Sequence, residues 1–384
     1  MKKIVFLTGT RADFGKMRSI ILTLIKTKKF KVDVFVTGMH LMKEYGYTFE
    51  EIKKVGIKRL FKFRNQKVNY NKEIRMDVIL SKTIDGFSKY VKRNKPDLIM
   101  LHGDRLEALA GAIVGAYNNI LVGHIEGGEV SGTIDNSIRH SVSKLSHLHF
   151  VSNPSHKKRL IQLGEVKKNI FVIGSPDIDI MISKQLPSIQ KVKKQYKINY
   201  KDYSILIFHP VTTELERIGI QIKILIDCLK QSNKNYIIIY PNNDLGSNII
   251  ANEIKKLSKN KRFKLFKTMR LTYFLTLLKN ANFIIGNSSA GIKEAPFYGV
   301  KTINVGSRQN LRFKNKIIHN VDFNKKIILD TIKKSSKKIK RKSTKYFGNG
   351  ESAIKFSKII SQNKFWRTEI QKNFIDRSYF DATT

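Results

Sequence analysis

The stretch LTGTRADFGK, Leu7 to Lys16, leaves an apolar run (KIVFLTG), crosses a turn rich in glycine and charge, and enters a helix-like segment from Phe14 to Lys26. Two later stretches repeat that order: LHGDRLEALAG, Leu101 to Gly111, and LVGHIEGGE, Leu121 to Glu129. Each reads as a buried strand running straight into polar, charged or glycine residues. In an open parallel α/β sheet the carboxyl ends of the strands share one edge, and ligands bind in the crevice there. Arg11, Asp104 and Glu126 are therefore expected to converge although they are distant in sequence. An active site follows, rather than scattered surface charge.

The same alternation continues through the first half. Strand-like runs at KVDVFVTG, PDLIMLHGD, NILVGHIEGG, LHFVSN and NIFVIGS are separated by helix-like stretches at Asp77 to Lys92, Leu106 to Tyr117, Asn136 to Ser146 and Pro154 to Leu163. Spacing of this kind means right-handed βαβ units and a parallel sheet. After Ile173-Gly174-Ser175-Pro176 the pattern restarts with YSILIFHP, NYIIIYPNND, FKLFKT, ANFIIGNSSAG and VKTINVGS. Two doubly wound Rossmann-like domains are expected, residues 1–175 and 176–365, followed by a helical tail over 366–384 that packs back on the first domain. The Lys-rich interval Lys184 to Lys201 contains Pro187 and lacks a strong apolar period, as a connection would.

The chain has 384 residues, too many for one core and comfortable for two. Its apolar runs fall short of the roughly 18–20 residues a membrane helix needs, and the residues after Met1-Lys2-Lys3 form no signal segment. No membrane partner and a cytoplasmic location are expected. A single cysteine, Cys228, excludes an intrachain disulfide and a cysteine-built zinc site. The formal charge of +43 invites a nucleic-acid reading. The basic residues are dispersed, however, with their densest run at Lys325 to Lys345, and no zinc-finger, RNP or helix-turn-helix signature accompanies them. No nucleic-acid partner is expected; a solvated basic face with some attraction for anionic substrates is.

The motifs carry more than the composition does. LTGTRADFGK fits neither phosphate-loop signature: five residues separate Gly9 from Gly15, Met17 follows Lys16, and the second strand ends in VTGMH without an acid. What remains is a strand-to-helix turn with backbone N–H groups, Arg11 and Lys16, which suits a diphosphate; Asp13 as an N-cap with Lys16 in solvent fits the same residues. Asp104 and Glu126 lie one strand-helix-strand unit apart, so both belong to neighbouring loops on one sheet edge, where paired carboxylates can divide acid and base work. Asp104 can equally cap the helix from Leu106, whereas capping leaves the two glycines of IEGGE unexplained. Asp135 and Arg139 fit an N-cap and an i,i+4 ion pair. His102, His124, His147 and His149 lack metal-ligand spacing and read as core or loop histidines. In the second half His209 ends one strand, and GNSSAGIKEAP places Ser288, Ser289 and Gly291 at another strand-to-helix turn, with Glu294 one turn into the helix and able to accept the hydroxyls of a ribose.

Taken in order, TGTRADFGK, VTGMH, HGDRLEALAGA, HIEGGEVSGTIDNSIRH, VIGSPDID, FHPVTTE and GNSSAGIKEAPFYG resemble the bacterial hydrolysing UDP-N-acetylglucosamine 2-epimerases of sialic-acid and related surface-sugar pathways, from about residue 3 to about residue 310. The resemblance implies the two-domain glycosyltransferase-B type fold with the nucleotide sugar in an interdomain cleft, a homodimer or homotetramer, and neither cofactor nor obligatory metal. It also implies the reaction: UDP is eliminated as the C2 proton leaves, and water then adds to the 2-acetamidoglucal to give N-acetylmannosamine. On this sequence it makes Asp104, Glu126 and Asp135 the catalytic acids, with His209 near the phosphates. Arg11 and Lys16 become diphosphate-side cations, Arg105 and Arg139 orient carboxylates or sugar, and Ser288, Ser289, Gly291 and Glu294 hold UDP. Non-hydrolysing epimerases tend to carry DSGGIQEE-like and HRRE-like segments, so GNSSAGIKEAP and FHPVTTE side with the hydrolysing branch. A glycosyltransferase of the same fold class would use the same nucleotide turn but need an acceptor.

Overall fold

A computed structural model describes residues 1–66, 75–184, 186–242, 244–309, 312–336 and 343–376. The chain divides into two compact units: one comprises Met1–Glu129, Asp135–Ile182 and Tyr346–Thr384, the other Val130–Ile134 and Ser183–Lys345.

The first unit is built on seven strands: β1 (Lys3–Thr8), β2 (Lys31–Val36), β3 (Leu60–Lys62), β4 (Leu98–His102), β5 (Leu121–Ile125), β6 (Leu148–Val151) and β7 (Ile170–Val172). They pair in the order β3-β2-β1-β4-β5-β6-β7, every pair parallel. The strands are apolar on both sides, as a sheet covered by helices requires. Ile4, Phe6 and Met100 face one core with Met17 and Ile20 of the helix Arg11–Thr27, while Val5, Leu7 and Ile99 face another with Phe87 and Val91 of the helix Met76–Asn94. The winding direction reverses between β1 and β4, and their carboxyl ends carry Gly9 to Arg11 and Gly103 to Arg105. That is where a doubly wound sheet opens its crevice.

The second unit repeats the plan with β8 (Ser204–Ile207), β9 (Tyr236–Ile239), β10 (Phe263–Phe266), β11 (Phe283–Gly286), β12 (Lys301–Val305) and β13 (Ile318–Val321), again all parallel, in the order β10-β9-β8-β11-β12-β13. Its switch point lies between β8 and β11, the strands that lead to His209 and to Asn287-Ser288.

Three expectations about organisation need correction. The division falls at Ile182/Ser183, a few residues after the expected 175/176, whereas residues 346–365, expected in the second domain, belong to the first unit. The reason is hydrophobic: Phe356 and Ile360 of the helix Ser352–Ile360 are fully buried in the first core, with the Phe356 ring 4.5 Å from that of Phe150. Burial of such a side chain is worth about 2 kcal/mol. Second, the interval Lys184 to Lys201 is not a bare connection, because Ser188 caps a helix over Ile189–Tyr196 that buries Val192. Third, the expected helical tail carries only the 3₁₀ turn Asn363–Arg367 and then no helix up to Asp376. It holds to the first unit through Lys372, which donates to Glu165 at 2.6 Å and to the carbonyls of Lys144 and Ser146. Residues 377–384, and 337–342 of the basic run, lie outside the described residues. No helix among the described residues is long and apolar enough to cross a membrane.

Candidate active site

At the end of β1 the turn satisfies itself. Thr10 caps the helix Arg11–Thr27, accepting from the Asp13 N–H, and Asp13 completes the capping box from the third helical position. The Asp13 carboxylate accepts from the N–H groups of Gly9 and Thr10, each at 3.0 Å, and from the Thr8 hydroxyl at 2.5 Å. Burial alone would raise its proton affinity, yet His40, Thr8 and Gly9 together hold it down at about 2. The reading of this turn as a free anion cradle therefore fails for Gly9 and Thr10, whose donors already serve Asp13. Asp13 is not the N-cap either, and Lys16 does not point into solvent: it is 12% exposed, with its Nζ 3.1 Å from Asp177 and 3.8 Å from Glu126. Arg11 is paired with Glu51 of the helix Phe49–Lys53 at 2.6 Å.

At the ends of β4 and β5 the two loops share one partner, because Arg139 reaches the Asp104 carboxylate and the Glu126 backbone carbonyl. The helix Leu106–Tyr117 has Arg105, not Asp104, at its N-cap position, and Arg105 makes no side-chain cap. Asp104 instead receives Arg139, whose guanidinium is almost wholly buried and also donates to the Glu126 carbonyl at 3.2 Å. Glu129, a buried acid that the motif reading passed over, lies 3.6 Å from the same guanidinium. Arg139 thus ties two adjacent loops together. Asp135 stands one turn before it in the helix Ile134–Leu145, on the same face. Arg105 pairs with Glu107 at 3.3 Å.

Glu126 occupies a left-handed backbone conformation, φ 63°, uncommon for a residue with a side chain. The two glycines after it are explained by space. A Cβ on Gly127 would lie 2.8 Å from the Ser143 hydroxyl, and one on Gly128 would lie 2.4 Å from the His156 carbonyl oxygen. The Glu126 carboxylate is buried, 3.1 Å from His102 Nε2, and accepts from the Ser175 hydroxyl at 2.5 Å. Ser175 follows β7, and its Oγ is 3.4 Å from Asp177. Sequence reasoning passed over His102, Ser175 and Asp177 as partners of Glu126; VIGSPDID ends a strand on the same edge, and that was the available signal. His124 fills a supporting role. Its Nε2–H donates to the Gly103 carbonyl at 2.8 Å while Nδ1 accepts from Ser143 at 3.0 Å, fixing the turn before Asp104. Burial pushes its ring down to about 3, so it is neutral.

In the second unit Asn287 stitches the switch point. Its Oδ1 accepts from the His209 N–H at 2.7 Å and its Nδ2 donates to the His209 carbonyl at 2.8 Å, joining the ends of β8 and β11. Gln309 donates to the Asn287 carbonyl at 3.0 Å. Ser288 caps the 3₁₀ turn Ser289–Gly291. Glu294 is not one turn into a helix but opens a four-residue one, Glu294–Phe297. Gly291 has a packing reason to be small: a Cβ there would meet Thr302 Cγ2 at 2.7 Å. Among the described residues no group of three His, Cys, Asp or Glu side chains is placed to hold a metal.

The model of the family described as UDP-N-acetylglucosamine 2-epimerase matches residues 23–361. The chain belongs to that family. A UDP-N-acetylglucosamine 2-epimerase of Neisseria meningitidis serogroup B is 44% identical over 379 residues, 98% of this chain and 99% of that protein. A hydrolysing UDP-N,N'-diacetylbacillosamine 2-epimerase of Legionella pneumophila is 34% identical, covering 92% of this chain and 94% of its own. The crystal structure of the Methanocaldococcus jannaschii UDP-GlcNAc 2-epimerase with UDP-GlcNAc and UDP has a TM-score of 0.81 at 22% identity, over 94% of this chain and 99% of that one. For this family member the last likeness establishes the fold: two parallel-sheet α/β domains of the glycosyltransferase-B kind.

Proposed function

We propose that this epimerase-family chain hydrolyses UDP-N-acetylglucosamine with inversion at C2, releasing N-acetylmannosamine and UDP. The observation that carries the reading is one sheet edge of the first unit on which Lys16 stands 3.8 Å from the Glu126 carboxylate and Arg139 joins Asp104 to the Glu126 carbonyl. The elimination needs a base to take the C2 proton as the C1–O bond to UDP breaks, and a proton donor when water later adds to the glycal. A buried carboxylate, Glu126, and a half-buried one, Asp104, both held by fixed donors, suit these tasks, because a site that is already oriented pays no reorganisation when charge moves. Asp104 and Glu126 take these proton transfers, with Asp135 a further acid. Lys16 and Arg11 face the departing diphosphate, and Arg105 and Arg139 orient carboxylates or sugar. In the second unit the turn Ser288–Gly291, Glu294 and His209 serve the UDP moiety. The Legionella relative, named as hydrolysing, supports release of a free sugar over return of UDP. The substrate in that relative's name also supports a second reading, in which the sugar is a 2,4-diacetamido-6-deoxy one.

The test is turnover of UDP-N-acetylglucosamine in deuterated, heavy-oxygen water. Free N-acetylmannosamine carrying deuterium at C2, with UDP free of heavy oxygen, is the expected result, since the bond broken is C1–O. UDP-N-acetylmannosamine as product would overturn hydrolysis. Turnover of the diacetamido nucleotide sugar alone would establish the second reading.

A further inference from the structure

Glu126 is served by a hydroxyl that has two acceptors and one proton. Ser175 Oγ lies 2.5 Å from Glu126 Oε1 and 3.4 Å from Asp177 Oδ2, and a hydroxyl donates to one acceptor at a time. Asp177 is 2% exposed, as is Glu126, and Lys16 Nζ stands between the two carboxylates, nearer Asp177. We propose that Ser175 and Asp177 are positioning residues of the epimerase reaction: Ser175 holds the anionic Glu126 and turns its proton to Asp177 when Glu126 becomes protonated, while Asp177 anchors Lys16.

The proposal rests on the reading of Glu126 as a proton-transfer group. While Glu126 is anionic, its short charge-assisted bond from Ser175 is the stronger of the two available. Once Glu126 carries the abstracted proton, its oxygen is a poorer acceptor and Asp177 the better one. Ser175 then rotates about Cβ–Oγ and can accept from the new Glu126 O–H, so the Ser175–Glu126 hydrogen bond is kept in both states. The frame does not move with it. The Ser175 N–H donates to the Phe347 carbonyl at 2.7 Å, and the Glu126 N–H donates to the Phe150 carbonyl at 2.9 Å. Among the described residues, the charged or titratable groups facing Glu126 include His102 from β4, Lys16 from the helix Arg11–Thr27, Asp177 after β7, and Arg139 on its carbonyl with Asp104 and Glu129 beyond.

Two readouts separate this inference from the functional reading. The first is the pH profile of kcat on UDP-N-acetylglucosamine. The second is titration of the Glu126 carboxyl by carbon-13 NMR in the free protein, assigned by its loss in Glu126→Gln. Ser175→Ala is expected to lower kcat by roughly 10–100-fold with little change in KM. It should also move both the acid limb and the carboxyl titration up by about one pH unit, and Ser175→Thr should restore them. Asp177→Asn should move the titration down, because Lys16 then faces Glu126 alone. An unmoved titration in Ser175→Ala, or failure of threonine to restore it, overturns the proposal. If the alanine variant does not fold, an unmoved titration in Asp177→Asn overturns it instead. A wild-type protein inert toward the substrate but showing the titration shifts would refute the functional reading and leave the hydroxyl exchange standing.

Discussion

Asp13 shows what donors can do against burial. Its carboxyl lies near 2 when folded and near 3.8 otherwise, a difference worth roughly 2 kcal/mol. Because the folded value is the lower, this stability is whole above about pH 4 and drains away as the pH falls toward 2. Denaturant unfolding of wild type and Asp13→Asn should therefore differ by about that amount at pH 7 and converge near pH 2. The carboxylates proposed for proton transfer answer a different measurement. Glu126→Gln and Asp104→Asn should each cut kcat by at least about 100-fold, with unchanged circular dichroism; a variant retaining most of its turnover removes that residue from the chemistry. That Asp104 and Glu126 share a sheet edge could be read from sequence because one strand-helix-strand period returns the chain to it. Ser175 and Asp177 could not, since a hydroxyl after a strand and an acid opening a helix are ordinary locally, and only packing shows what they touch.

At the scale of elements, the helix Ser352–Ile360 has no cap of its own, since Glu351 at its N-cap position makes none. Asp179 supplies one from 173 residues away, accepting from Ser352 N at 2.9 Å and from Ser352 Oγ and Ala353 N at 2.8 Å. Asp179→Ala should cost about 1–2 kcal/mol in denaturant unfolding; a loss below a few tenths would mean the cap contributes nothing. The β8/β11 junction is tighter still. Gly286 has φ 123°, and a Cβ there would sit 2.0 Å from the Ile207 carbonyl oxygen. Gly286→Ala is expected to displace Asn287 and with it the Ser288 turn, raising KM for the nucleotide sugar well before kcat falls. Strands and long helices were legible because apolar period marks them. The 3₁₀ turn Ser289–Gly291 and the short helix from Glu294 were misjudged, because spacing alone does not separate a tight turn closed by Thr302 from a helix N-terminus.

For the whole molecule, the charge of +43 is a field rather than a fold. A dianionic nucleotide sugar meeting it should be captured less readily as counterions gather, so kcat/KM should fall several-fold between about 20 and 300 mM salt with kcat nearly constant. Two α/β units were legible from the restart of the strand pattern after residue 175. The return of the chain was not, because nothing local in SAIKFSKII says which core it completes. That return has a consequence in synthesis. Since Phe356 and Ile360 belong to the core begun by β1, the ribosome must first make everything from Ser183 to Lys345. At about 5–20 residues per second that is a wait of roughly 10–30 s. Throughout it, the nascent amino-terminal half shows an apolar scar that the helix Ser352–Ile360 later covers, a natural foothold for chaperones.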